Sequence, residues 1–310
     1  MNIVTLLSVV IALLIEQFRP LAVGRWVSAP LGAWAEFLES KLNAGQYRQG
    51  VIAWVIAVAL PVAVLETAYL LALWLAPLGA LLLSVLVLYL TMGIRQFSHF
   101  FTDIHLALRM GELDRARRLL AEWRQCSGDR LSSEEVTRLA IEQALLSSHR
   151  HVYAPLLGFV LLGPAGALLY RLSQFFAERW GGGDEIRYGR FGEFARRVFA
   201  ALDWLPVRVS AAGFAVVGDF EDALYCWRTQ AGRWPDPRAG ILLASGAGAL
   251  GVRLGLPVAG EIETEDRPEL GLGEEADVDF LQSTIGLVWR TLVLYVLLLT
   301  LFSVAGWVNG

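Results

Sequence analysis

The chain alternates long uncharged blocks with charged connections. The first block, Ile3 to Ile15, is closed by Glu16. No basic residue precedes it and no small-residue cleavage pattern follows it, which predicts a retained short anchor and not a cleaved leader. Val51 to Ile94 is 44 residues with Glu66 as its only charge. A crossing takes about 20 residues, so this block predicts two antiparallel helices with a turn between Glu66 and Leu75, Glu66 being an interfacial turn residue. Val152 to Leu169 and Ile285 to Val308 are also long enough to span, with a break predicted at Gly163, Pro164 and Gly166 in the former and Arg290 near the start of the latter. Trp204 to Val217 and Gly240 to Gly260 contain glycine together with Arg208 and Arg253, and fit partly buried or re-entrant segments better than lipid-facing helices.

The connections concentrate arginine. Basic residues gather at Arg19, Arg25, Lys41 and Arg48, then as nine arginines from Arg95 to Arg150, and as six from Arg171 to Arg197. Excess positive charge marks the cytoplasmic side, which places the first two clusters there. Within residues 97–150, GELDRARRLLAEWR puts Leu113, Leu119, Leu120 and Trp123 on one side, and Ser132 followed by Glu135 is a capping-box pattern. Two cytoplasmic helices packed on the membrane core are expected. Residues 261–279 turn acidic around Pro268 and several glycines, predicting a loop. The fold class is therefore all-α, a polytopic helical membrane protein of one integral-membrane domain over 1–310. Its spans are expected near 3–18, 51–71, 74–94, 152–170 and 287–308.

Composition sharpens this picture. The chain is 55% hydrophobic and 18% charged, against roughly 45–50% and about 25% in soluble domains. A net charge of -4 gives no basic footprint for nucleic acid. Cys126 and Cys226 have no CxxC partner and read as free thiols. Lys41 is the only lysine, which excludes a P-loop. GAGALG, with Gly246, Gly248 and Gly251, matches a dinucleotide fingerprint, but Gly255 and Pro257 interrupt the helix that such a site needs. Small-residue packing through Ala247, Gly251 and Gly255 is the better expectation. His99, His105, His149 and His151 show no metal-pair spacing, so no metal ligand is assigned. Trp180, Trp204, Trp227 and Trp234 read as interfacial aromatics. Arg208 and Arg253, each a charge in an apolar segment, either face a cavity, a partner or an anionic ligand, or else snorkel to the interface or pair internally, for instance with Asp203 or Asp219; these alternatives stay open.

The string YGRFGEFARRVFAALDWLPVRVSAAGFAVVGDF, then WPDPRAGILLASGAGALGVRLG, then RPELGLGEEADVD, resembles the CobD/CbiB family of cobalamin biosynthesis in order and spacing. Upstream, MGELDRARRLL and APLLGFVLLGPAGALLYR fit the same family, so the resemblance covers about Arg95 to Asp279. It implies a bacterial inner-membrane, multi-pass protein that attaches aminopropanol or its phosphate to a propionate of a corrinoid, adenosylcobyric acid, by ATP-dependent amide formation. Under that reading, a ligase similar to cobinamide phosphate synthase, Tyr188, Arg208, Arg228, Arg238 and Arg253 would bind phosphate and corrin carboxylates. Glu142, Asp236 and Asp277 would do the catalytic work and hold magnesium, with ATP and Mg as cofactors.

The chain departs from the family pattern at RLSQFF, Arg171 to Phe176, where an Asn and Asp usually stand, and at Ser147 and Ser148 before AP. Similar losses mark AmpE, a membrane protein tied to β-lactamase regulation. The alternative is accordingly a non-catalytic, AmpE-like regulatory protein whose partners are lipid and other membrane proteins.

Overall fold

The computed structural model describes residues 3–19, 27–124, 130–182, 188–258 and 267–308, without the side chains of 3, 94–97, 307 and 308. Arg25, Cys126 and the first part of the acidic loop lie outside them. In chain order the helices are α1 (Ile3–Phe18), α2 (Ala29–Leu42), α3 (Tyr47–Trp54), α4 (Leu60–Leu75), α5 (Pro77–Thr91), α6 (Ile94–Arg109), α7 (Leu113–Arg124) and α8 (Ser133–Ser148). They continue as α9 (Ala154–Gly181), α10 (Glu193–Val217), α11 (Phe220–Gln230), α12 (Pro237–Leu250) and α13 (Val278–Val308). Among the described residues four helical stretches are long and apolar enough to cross a membrane: Tyr47–Leu75, Ser133–Gly181, Glu193–Val217 and Val278–Gly306. The protein is an all-α membrane protein, and two isolated bridges, Val252 with Glu274 and Leu254 with Leu270, connect its extended segments.

Proline sets where these rods run on and where they stop. Pro61 and Pro155 have no N–H to donate to the preceding turn. In each case the chain widens just upstream into a π segment, Val55–Ala59 and His149–Tyr153, and the rod continues. Pro77 acts in the opposite sense. It opens α5, and Ala76 before it takes an extended conformation (φ -156°, ψ 93°), the conformation that steric clash with a following proline favours. The turn therefore falls at Ala76, beyond the expected stretch, and Glu66 lies inside α4. In α9 the non-helical torsions fall at Leu162 and Gly163 (φ 65°, ψ -158°), the latter a conformation open essentially to glycine alone.

The chain forms two compact units, one of residues 1–93, 154–206 and 302–310, the other of 94–153 and 207–301. In the first, Ala53, Ala57, Phe176, Trp180 and Phe191 build the core, while α4 buries no residue and exposes Val64, Leu70, Leu71 and Trp74. An apolar helix with that exposure suits lipid and not water. Trp180, expected at an interface, is instead 1% exposed. Its indole N–H donates to Glu39 Oε1 at 3.1 Å, the satisfaction that lets a tryptophan be buried.

In the second unit residues 94–148 form three helices where two were expected, because Gly111 at φ 75° closes α6 before α7 begins. The capping box of α8 is present, with Ser132 Oγ accepting from Glu135 N and Glu135 Oε2 from Ser132 N. Trp204–Val217, expected as a re-entrant or partly buried segment, is the second half of the 25-residue α10, which Pro206 and Arg208 do not interrupt. The small-residue contact lies elsewhere than expected. Gly248 of α12 faces the Asp222 and Ala223 backbone of α11, and Gly246 faces Leu145 of α8, whereas Gly251 is the left-handed cap of α12.

Candidate functional site

The second unit holds every expected site residue except Tyr188. Helix α8 presents Arg138 and Glu142 one turn apart, hence on one face, to the loop that follows α12. Glu142 Oε1 accepts the Gly255 N–H at 2.9 Å and Oε2 accepts the Arg267 guanidinium at 2.6 Å. Arg267 Nε in turn donates to the Leu256 carbonyl at 3.2 Å, and Arg138 donates to the Pro257 carbonyl at 3.4 Å. Three consecutive loop residues are thus held through their backbones by three different side chains.

That loop is under backbone strain. Gly255 and Leu256 both have positive φ, 78° and 66°, and a non-glycine residue there costs about 1–2 kcal/mol. The Gly255 position admits no side chain, since a Cβ would meet the Pro268 carbonyl and the Trp234 ring. The Trp234 ring also carries the Arg267 guanidinium 5.3 Å from its centroid, a cation–π contact. Leu254 and Leu270 exchange both backbone hydrogen bonds, at 2.7 and 2.9 Å. Gln230 holds Gly271 on both sides, accepting its N–H at 2.6 Å and donating to its carbonyl at 3.3 Å. The stretches 251–257 and 267–274 are therefore pinned to each other and to α8 and α11.

Arg253 rises from this base. Its guanidinium, 36% exposed, pairs with Glu269 at 3.5 Å and Glu275 at 3.2 Å, both more exposed than it is. Arg228 on α11 is exposed. Arg208 on α10 is half-buried. Arg238 lies at the start of α12, its backbone N–H and Nε both donating to Asp236 Oδ1. Asp236 is thereby the N-cap of α12, and Asp277 Oδ1 takes the backbone N–H groups of Asp279 and Phe280 at the start of α13. Tyr188 is buried in the core of the first unit.

Glu142, Asp236 and Asp277 do not come together as a group that could hold a metal ion; among the described residues no three His, Cys, Asp or Glu do. Glu142 has both oxygens engaged, and the two aspartates serve as helix caps. The trio does not fit the shared magnesium expected of it. Sequence reasoning missed Arg267, Trp234, Arg138 and Gln230. Arg267 meets Glu142 across 125 positions, and only RPELG in the quoted strings flagged its neighbourhood.

A pocket of about 90 Å³ in the same unit lies among Phe101, Tyr153, Thr284, Ile285, Val288 and Trp289 and is mostly apolar. None of the expected site residues lines it. Buried His149 bonds Ser210 Oγ through Nδ1 at 2.8 Å, a satisfied polar pair. His105 is held below its usual value by burial and then by Arg109, with Asp279 opposing.

The family model described as CobD/Cbib protein matches residues 9–288. A protein of Stutzerimonas stutzeri strain A1501, named cobalamin biosynthesis protein CobD, is 36% identical over 310 residues, covering 97% of this chain and 98% of its own. The protein of the same name from Chromobacterium violaceum is 35% identical over 219 residues, 71% of this chain and 70% of its own. One from Mycobacterium tuberculosis strain H37Rv is 31% identical over 185 residues, 57% of this chain and 58% of its own. No solved structure matches the chain.

Proposed function

Because the chain belongs to the CobD/CbiB family of cobalamin biosynthesis proteins, we propose that it joins aminopropanol phosphate, or aminopropanol, to a corrin propionate through an amide bond. The observation that carries this reading is the likeness to the Stutzerimonas protein at 36% identity over nearly the full length of both chains. The proposal includes a multi-pass protein of the bacterial inner membrane, with the corrinoid adenosylcobyric acid as substrate.

The chain's part in the reaction is anion binding. Arg253, Arg228, Arg208 and Arg238 supply the planar, permanently charged donors that suit carboxylate and phosphate. Arg253 is held by glutamates that are 47% and 66% exposed. Exposed ion pairs are worth about 0–1 kcal/mol, so an incoming substrate carboxylate displaces them at little cost. Forming an amide needs an activated carboxylate, so ATP and magnesium belong to the proposal as co-reactants, with no magnesium ligand assigned to this chain's carboxylates.

One observation favours the regulatory, AmpE-like reading: both oxygens of Glu142 are taken. Calorimetric titration of the detergent-purified protein with adenosylcobyric acid separates the two. The synthase reading expects micromolar or tighter binding that Arg208→Ala weakens at least tenfold; no binding at saturating corrinoid leaves the regulatory reading.

A further inference from the structure

The Gly255–Pro257 backbone is held far more completely than a connecting loop requires. Glu142 takes the Gly255 N–H, Arg267 the Leu256 carbonyl and Arg138 the Pro257 carbonyl. Glu142 and Arg267 also pair with each other, their side chains 6% and 10% exposed. A left-handed leucine persists only where its surroundings over-determine it, and such strain gathers at functional positions. Arg253, a half-buried cation whose guanidinium reaches the surface, is two residues upstream of this clamp. Its own backbone N–H is bonded to the Glu274 carbonyl at 2.9 Å.

We propose that Glu142 and Arg267 are positioning residues: their buried ion pair fixes the strained Gly255–Leu256 backbone and so sets Arg253 for the anionic group of the substrate. This rests on the synthase reading above and changes the part that Glu142 plays in it, from metal ligand to loop anchor. The clamp acts through geometry, because neither partner is exposed enough to meet a substrate itself. Its removal loosens the backbone beside the Leu254–Leu270 pair and so shifts the setting of Arg253, which weakens corrinoid binding without touching a reacting atom.

Two measurements on the full-length protein in detergent test this: amide hydrogen exchange of a peptide covering 252–258, and the dissociation constant for adenosylcobyric acid. Glu142→Ala and Arg267→Ala are each expected to speed exchange in that peptide at least tenfold, with α12 peptides unchanged, and to weaken binding at least tenfold. Arg267→Lys is expected to fall between, and ethylguanidinium added to Arg267→Ala is expected to restore both readouts. Glu112→Gln, at an exposed ion pair with Arg115, is expected to match wild type. Unchanged exchange in the alanine variants would overturn the clamp. Faster exchange with unchanged binding would overturn the positioning role alone. Absence of binding by wild type would instead overturn the synthase reading, and the positioning role with it, while the exchange data still reported on the clamp.

Discussion

The Glu142 carboxylate and the Arg267 guanidinium meet at 2.6 Å with both side chains at least nine-tenths buried. Removing one member of such a pair strands the other in a medium of low dielectric and costs about 3–5 kcal/mol. Glu142→Ala is therefore expected to lower the thermal unfolding midpoint in detergent clearly. The double variant Glu142→Leu/Arg267→Met should recover a large part of that loss, since no charge is then left buried. A double variant less stable than both singles would contradict this account of the pair.

In the first unit, one carboxylate oxygen of Glu39 receives both Trp180 Nε1 at 3.1 Å and Arg179 Nε at 3.2 Å. A hydrogen bond to a charged group is worth about 1.5–3 kcal/mol. Trp180→Phe should thus cost roughly 2 kcal/mol, and Glu39→Ala more, because it leaves the buried indole N–H unpaired. Unfolding followed by circular dichroism reads both, and equal stability of Glu39→Ala and wild type would exclude the arrangement.

Helices α11 and α12 approach through Gly248, where a Cβ would lie 2.5 Å from the Asp222 carbonyl oxygen. Backbone atoms cannot swing aside as a side chain can, so Gly248→Ala must push the helices apart; overpacking of this kind costs about 1–3 kcal/mol. At Gly232 a Cβ would meet nothing within 4 Å, and Gly232→Ala should leave thermal stability near wild type. The contrast between the two substitutions is the check.

Cys226 is fully buried on α11, and its thiol is pushed up to about 11 by burial and then by the nearby Asp222 carboxylate. The folded chain holds this proton at pH values where the unfolded thiol, at about 9.0, has begun to lose it. The stabilisation is therefore complete below about pH 9 and is lost as pH rises toward 11. In a Cys126→Ser background, alkylation of the native protein should be slow at neutral pH and become fast on unfolding, and Asp222→Asn should speed it. Rapid native labelling at pH 7 would contradict the burial.

How much of this was legible in the sequence follows from the range of each signal. The apolar blocks Val51 to Ile94, Val152 to Leu169 and Ile285 to Val308 each fall on a long apolar helical stretch, whereas the stretch Glu193–Val217 was not among the expected spans and the blocks near 3–18 and 74–94 fall on shorter helices. Ser132 with Glu135 declared the start of α8, because a capping signal lies within one turn of the structure it specifies. Pro77 disfavours a helical residue before it, but Leu60 stays helical before Pro61, so proline alone did not single out Ala76. The clamp is different in kind. Glu142, Trp234, Gly255 and Arg267 come from four separate stretches, and nothing local to any of them announces the others. Arginines in an apolar context single out Arg208 and Arg253, while Arg267 stands in a polar stretch where an arginine is ordinary. Leu256 carries no mark of its positive φ, because leucine is not a residue that favours it. Glu142, Asp236 and Asp277 could be singled out as carboxylates, but only their hydrogen bonds reveal an anchor and two helix caps.

The proposed reaction is an amide bond made to a corrin carboxylate. The most direct measurement is incubation of the purified protein, reconstituted in lipid, with adenosylcobyric acid, aminopropanol phosphate, ATP and magnesium, followed by mass spectrometry of the corrinoid. Wild type is expected to form a product heavier than the starting corrinoid by one aminopropanol phosphate less one water, and Arg253→Ala to form it at least tenfold more slowly. Recovery of the corrinoid unchanged from folded protein would contradict the proposed reaction.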